Sequence, residues 1–366
     1  MDKLASRPTG TTKTSAIFSE LRSNIIGGRY AEAAFPSERA LMRRFGVSRT
    51  LVRQIIAMLK SDGLLASMHG KGTFVPPHAK RMRERIGFIV PGIGREEFFS
   101  PLPKALASFS QRKGFTPVFA DLGATSARGR YRMVKQAVRE FIAQKVSAVA
   151  YQPIDFLSDS PRRNAELLEL FRSADIPVVL LDYDIVPRPD RSKFDLVGMD
   201  NFNAGWALGR HVVERGARRI AFMMRDNHAF SVVDRRAGLE IAAREGGCPF
   251  AVTHVEPTDD KGVAALLRAD DAPDAIVCGN DLLAADLLKT LRLLGVDVPK
   301  DVMVAGFDDS PVAAASTPSL TTMHLPTNAL ATSLFKVMMI RIRNPTLPPA
   351  AMIHRAWLVP RSSTAR

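Results

Sequence analysis

From Ile86 onward, short apolar runs alternate with longer segments whose apolar residues recur every three or four positions. The runs IGFIVPG, TPVFAD, VSAVAYQ, IPVVLLD, FDLVGMD, RIAFMM, AVTHVEP, AIVCG and VMVAGFD predict strands. Between most of them lie LASFSQRKG, YRMVKQAVREFIAQK, NAELLELFRSAD, NAGWALGRHVVERG, RRAGLEIAAREGG and DLLAADLLKTLRLLG, which carry the helical period. Strand and helix in alternation predict an α/β body with parallel sheets. At about 280 residues this body exceeds the usual size of one domain, so two similar lobes are expected.

Before Pro76 the pattern is different. Ser37 is placed to cap a helix that carries Leu41, Met42 and Phe45 on one side, because its hydroxyl can accept a free backbone N–H. Gly46 stops that helix, Val47 packs under the turn and Ser48 caps the next. The second helix turns Leu51, Val52, Ile55, Ile56 and Leu59 toward a core and leaves Arg49, Thr50 and Arg53 on its opposite edge, near its start. Asp62-Gly63 ends it. Leu64 to Val75 then reads as a small hairpin tipped by His69, Gly70, Lys71 and Gly72. Two helices and a β-wing of this kind form a DNA-reading module, in which the N-terminal end of the second helix meets base edges in the major groove. The proline pair and basic run from Pro77 to Arg85 read as a linker. The expected division is a head over 1–76, a linker over 77–85 and a body over 86–360.

Charge follows that division. The chain has 51 basic and 37 acidic residues, a net of +14. Residues 1–85 hold 16 of the basic and 6 of the acidic residues, so +10 lies in less than a quarter of the chain. A basic head on a nearly balanced body is the footprint of a phosphate-contacting module on a soluble partner, whose binding weakens with salt through counterion release.

In open α/β sheets, ligands bind beyond the carboxyl ends of the strands. Those ends carry Asp182, Asp200, Asn280-Asp281 and Asp308-Asp309, with Arg235 near the start of a helix. Carboxylates, an amide and an arginine suit a polyhydroxylated ligand, since Asp accepts from hydroxyl pairs and Arg donates to hydroxyl or ring oxygens. Asp200 and Asp281 read as structural. Asp182, Arg235, Asn280 and Asp308 are the candidate ligand contacts, against the alternative that such residues only shape turns and caps.

Two resemblances rest on these residues. PSER, FGVSR, the VR at 52–53, the DG after the helix and HGKGTFV resemble the GntR-type winged helix-turn-helix over about residues 12–76. The resemblance implies DNA contacts from Arg39, Ser48, Arg49 and Arg53 and from the wing at His69, Gly70 and Lys71. Leu51 departs from the family's usual Thr. MDNFNAGWALGRHVVERGARRIAF, RRAGLEIA, DAIVCGNDLLAADLLKTLRLLG, VMVAGFDD and TPSLTTMHLP resemble the LacI-type sensor, which shares the type I periplasmic-binding-protein fold. This implies an effector cleft lined by Asp182, Arg235, Asn280 and Asp308. Phe98 or Phe99 would stack on a sugar face, or serve equally well as core or lid. The LacI type's own reading head is replaced by the GntR-type head, as in the arabinose-repressor class.

The expected protein is therefore a homodimeric regulator that reads a pseudo-palindromic operator under control of a sugar-like effector, with repression relieved by the sugar as the favoured version. The alternative is a constitutive DNA-binding regulator whose body only dimerises or binds a co-regulator. Enzyme motifs fail in detail. HGKGT lacks the residues a phosphate loop needs on either side, PGIGREEF has no third glycine at the dinucleotide spacing, and neither G-x-S-x-G nor H-E-x-x-H occurs. Cys248 and Cys278 are isolated, so no metal or cofactor is expected. A polar N-terminus and the lack of any apolar run of about 18 residues lead to the expectation of a cytoplasmic protein with no membrane partner.

Overall fold

The structure is a computed structural model that describes residues 11–26, 29–30, 35–68, 72–76, 85–90, 101–113, 115–120, 122 and 126–366. The wing residues His69, Gly70 and Lys71, the phenylalanines Phe98 and Phe99, and linker positions 77–84 lie outside the described residues.

The head consists of α1 (Thr11–Ile26), α2 (Glu38–Phe45), α3 (Arg49–Ser61), β1 (Ala66–Met68) and β2 (Gly72–Phe74). Its local signals act as expected. The Ala40 N–H donates to Ser37 Oγ at 3.2 Å and the Leu51 N–H to Ser48 Oγ at 3.3 Å. Gly46 closes α2 at φ +62°, a conformation that glycine adopts without steric cost. The antiparallel pair β1–β2 forms the wing. Helix α1 is an element the sequence reading did not assign. Its buried Ile17, Leu21 and Ile25 recur every four residues and close the head's core over Leu41, Val52, Ile55, Ile56 and Leu59.

The first lobe contains β3 (Arg85–Ile89), α4 (Pro101–Arg112), β4 (Thr116–Phe119), α5 (Ala127–Ala143), β5 (Ala148–Tyr151), α6 (Ser160–Ser173), β6 (Val178–Asp182) and β7 (Asp195–Met199). The chain then crosses to the second lobe. There lie α7 (Asn201–Glu214), β8 (Ile220–Met223), α8 (Phe230–Glu245), β9 (Phe250–Thr253), α9 (Asp260–Arg268), β10 (Ala275–Cys278), α10 (Asp281–Leu293), β11 (Met303–Ala305), α11 (Pro311–Ala315) and β12 (Thr322–His324). Helix α12 (Thr327–Arg343) and β13 (Ala351–His354) return to the first lobe, and β14 (Trp357–Val359) pairs antiparallel with β12. Every pairing within the sheets β13-β7-β6-β5-β3-β4 and β11-β10-β8-β9 is parallel, so the expected two α/β lobes are present.

The segment from β12 onward carries little local signal. Helix α12 and strands β12, β13 and β14 were not assigned from sequence, yet they carry two of the three crossovers between lobes. Arg341 fixes α12 to the first sheet by a fork on Asp195, 2.7 Å to each oxygen. The body, expected to end at residue 360, continues further. Ser363 and Thr364 are buried, and Thr364 Oγ1 lies 2.8 Å from His211 Nε2.

Two glycines set the spacing of α7 and α8. A Cβ at Gly205 would lie 1.9 Å from the Arg235 carbonyl oxygen, and one at Gly238 would lie 1.9 Å from that of Phe202. The backbones touch where side chains would otherwise hold them apart. Gly205→Ala should therefore lower stability by about 1–3 kcal/mol, the usual cost of overpacking. Thermal unfolding of the variant beside wild type checks this, and an unchanged midpoint would refute the close crossing.

Candidate functional site

Two constellations have the chemistry of a site. The first is the exposed edge of α3. Arg39, Ser48, Arg49, Thr50 and Arg53 are all solvent-exposed. Arg49 Nε lies 2.9 Å from Glu38 Oε2, and Arg53 Nε lies 3.9 Å from Glu38 Oε1. With the arginine side chains 71% and 70% exposed, these pairs are weak and exchangeable. Ser48 accepts a backbone N–H as cap and keeps its own hydroxyl proton to donate. Leu51, the departure from the family pattern, is partly buried against the head's core and does not belong to this edge.

The second constellation lies between the lobes. Arg235, on α8, is 5% exposed and held on three sides. Its Nε donates to Asn201 Oδ1 at 2.9 Å, Nη1 to the Gly279 carbonyl at 2.9 Å and Nη2 to Asp308 Oδ1 at 3.0 Å. Its guanidinium carbon sits 4.8 Å from the centre of the Phe307 ring. Asp182, at the end of β6 in the opposite lobe, faces this group and accepts from Ser231 Oγ at 3.3 Å. Burial pushes the Asp182 carboxyl above its ordinary range; Arg235 opposes that shift and Asp308 adds to it. Asp182 and Asp308 both have positive φ, at +75° and +105°, so their side chains are aimed by strained turns at the strand ends.

A cavity of about 20 Å³ lies here, enough for one water, with Asp182, Arg235, Asp308 and Gln152 in its wall. Leu102, Leu181, Met199, Leu325 and Leu330 make up its apolar side. The structure thus brings Asp182, Arg235 and Asp308 together as expected. Asn280 is placed beside them but not in the cavity wall; its Oδ1 caps α10 by accepting from the Leu283 N–H at 2.9 Å.

Gln152, Asn201 and Ser231 were not singled out by the sequence reading. Gln152 Oε1 is buried with no hydrogen-bond partner among the described residues, and Gln152 lines the cavity. Its position directly after the apolar run of β5, at a strand's carboxyl end, was the available signal. Asp200 and Asp281 are structural, as expected. Asp200 Oδ1 caps α7 by accepting from the Asn203 N–H at 3.1 Å. Asp281 accepts from Thr322 Oγ1 at 2.6 Å and from the Ser310 N–H at 2.8 Å, with its carboxyl pushed up to about 7 by burial and then by Asp308.

The bacterial regulatory proteins of the gntR family match residues 13–75, and a periplasmic binding protein-like domain matches residues 210–364. The chain is 27% identical over 362 residues to the arabinose metabolism transcriptional repressor of Geobacillus stearothermophilus, covering 94% of this chain and 95% of that one. It is 31% identical over 210 residues to the transcriptional regulator CelR of Thermobifida fusca, covering 54% and 62% of the two chains. Among solved structures, a CelR–cellobiose complex superposes with a TM-score of 0.63 at 23% identity, covering 98% of this chain and 100% of that one. A regulator from Alkaliphilus metalliredigens complexed with D-xylulofuranose gives 0.62 at 21% identity, covering 78% and 100%. At these identities the two superpositions establish a common fold.

Arg53→Ala should weaken sequence-specific DNA retention by roughly 5- to 150-fold, since each good arginine–guanine pair supplies about 1–3 kcal/mol of discrimination. Footprinting checks it, with an unchanged thermal midpoint of the body as control. A wild-type footprint would remove α3 from the interface.

Proposed function

Because this chain is a transcriptional regulator that joins a GntR-type DNA-binding head to a LacI-type sensor body, we propose that a small carbohydrate held between the lobes controls its affinity for its operator. The observation that carries this reading is Arg235 with its three acceptors, facing Asp182 across the cleft. Asp182 and Asp308 accept from neighbouring hydroxyls. Gln152 Oε1 accepts another, and the two guanidinium protons that Arg235 does not spend on protein donate to ring or hydroxyl oxygens. The leucine and methionine wall packs against the C–H face of a sugar ring.

A cavity of about 20 Å³ is far too small for a sugar, so binding requires the lobes to part and close again around it. Closure is the step the head can sense. Helix α12 begins beside the cleft, where Leu330 lines the wall, and ends at Arg343, whose Nη1 donates to the Ser61 carbonyl at the end of α3 at 2.7 Å. Its 17 residues span about 25 Å. Movement of α12 with the lobes therefore reaches the recognition helix directly. The effector acts through its differential affinity for the operator-competent and incompetent arrangements.

The active species in this reading is a homodimer whose two heads occupy the half-sites of a pseudo-palindromic operator. It acts as a cytoplasmic repressor that sugar releases from DNA, and no catalytic step is assigned to it.

A thermal-shift screen against pentoses, hexoses, uronic acids, disaccharides and polyols tests the reading. A sugar present at about 100 times its dissociation constant adds roughly 2.7 kcal/mol to the stability of the unit that binds it. Silence across the panel at millimolar ligand would favour the constitutive regulator instead. Asp308→Asn, which keeps an oxygen to accept from Arg235, should remove the sugar-induced shift, with the thermal midpoint in the absence of sugar measured beside it. Arg343→Gln should keep the sugar-induced shift and weaken the sugar's effect on operator release. A full operator response in Arg343→Gln would rule α12 out as the connection.

A further inference from the structure

A second cavity, of about 210 Å³, opens where the head meets the body. Among the described residues, Arg22 from α1, Lys113 after α4, and Lys336 and Arg343 from α12 line it, together with the carboxylate of Asp62. Its apolar wall is aromatic. Phe335 lies 5.2 Å from Phe109 and 5.4 Å from Phe115, centre to centre, and Met339 completes the face. The cations are arranged on these rings, with Arg22 4.8 Å from the centre of Phe115 and Lys113 5.9 Å from that of Phe109.

Arg343 is half-buried, and its Nε is buried with no hydrogen-bond partner among the described residues while Nη1 is bound to Ser61. A cation withdrawn from water with one donor unmet is costly, and a nearby negative charge offsets that cost. Flat aromatic walls beneath converging cations select for two properties at once, a negative group and a planar apolar body.

We propose that this junction cavity is a second ligand site, which takes a small organic anion with a planar apolar body, either a phosphate monoester or a carboxylate. Head and body both contribute to its wall, so its occupant stabilises their docked arrangement and biases the head independently of the interlobe cleft. The inference stands whether or not the cleft binds sugar.

Isothermal titration of the full chain at 0.15 M salt tests it, with phenyl phosphate, benzoate, inorganic phosphate and phenol as probes. The salt screens diffuse surface charge beyond about 8 Å. Phenyl phosphate, benzoate or both should bind at least about tenfold tighter than either inorganic phosphate or phenol, a difference of about 1.4 kcal/mol. Which of the two prevails distinguishes a phosphate ligand from a carboxylate one. Lys113 and Lys336 are both exposed, so the double variant Lys113→Glu/Lys336→Glu should fold normally and lose at least about tenfold in affinity. Three results would overturn the proposal: no binding of either aromatic anion, inorganic phosphate binding as tightly as they do, or wild-type affinity in the double variant.

Discussion

The sensor body is organised around a buried guanidinium that could not be where it is without two absent side chains. Gly205 and Gly238 let α7 and α8 meet backbone to backbone. That contact brings Asn201, at the start of α7, within reach of Arg235 on α8. From there Arg235 ties the turn after β10, through the Gly279 carbonyl, to the loop after β11, through Asp308. A buried cation is tolerated when a carboxylate compensates its charge, and breaking one such pair typically costs about 3–5 kcal/mol. The arrangement is therefore cooperative: helix spacing, loop position and charge compensation hold together or fail together.

The same logic extends to the crossovers. Asp281 binds Thr322 and Ser310, and Asp309 binds both His324, at 2.6 Å, and Arg361, at 2.6 Å. Carboxylates at the strand ends of the second lobe thus seize the segments that lead back to the first. On the other side, Asp195 in β7 holds Arg341 near the end of α12. Polar groups at the crossovers have specific geometries rather than the general adhesion of a hydrophobic core, which suits joints that must move between defined positions.

Much of this was legible in the sequence because the signals were local. Caps at Ser37 and Ser48, the left-handed stop at Gly46 and the alternation of β3 through β11 with their helices each depend on a few neighbouring residues. That Asp182, Arg235 and Asp308 meet was legible because they lie at or near the strand ends where the two lobes face each other. Elements defined by distant partners were not. Strand β14 exists through its pairing with β12, β13 through its pairing with β7, and the buried Gln152 acceptor matters only once the second lobe faces it. Helix α1 was an oversight of another kind, since its spacing at Ile17, Leu21 and Ile25 was present to be read. Asn280 begins α10, and its side-chain oxygen caps that helix.

Glu38 gives the head a property that its net charge conceals. One carboxylate at the start of α2 shares itself between Arg49 and Arg53, the residues best placed to read bases. Any phosphate must compete with Glu38 for them, and a random stretch of duplex offers phosphates but no matching guanine edge. With both arginines about 70% exposed, the carboxylate holds them loosely, so the head carries its own weak stand-in for an anion on the face of α3.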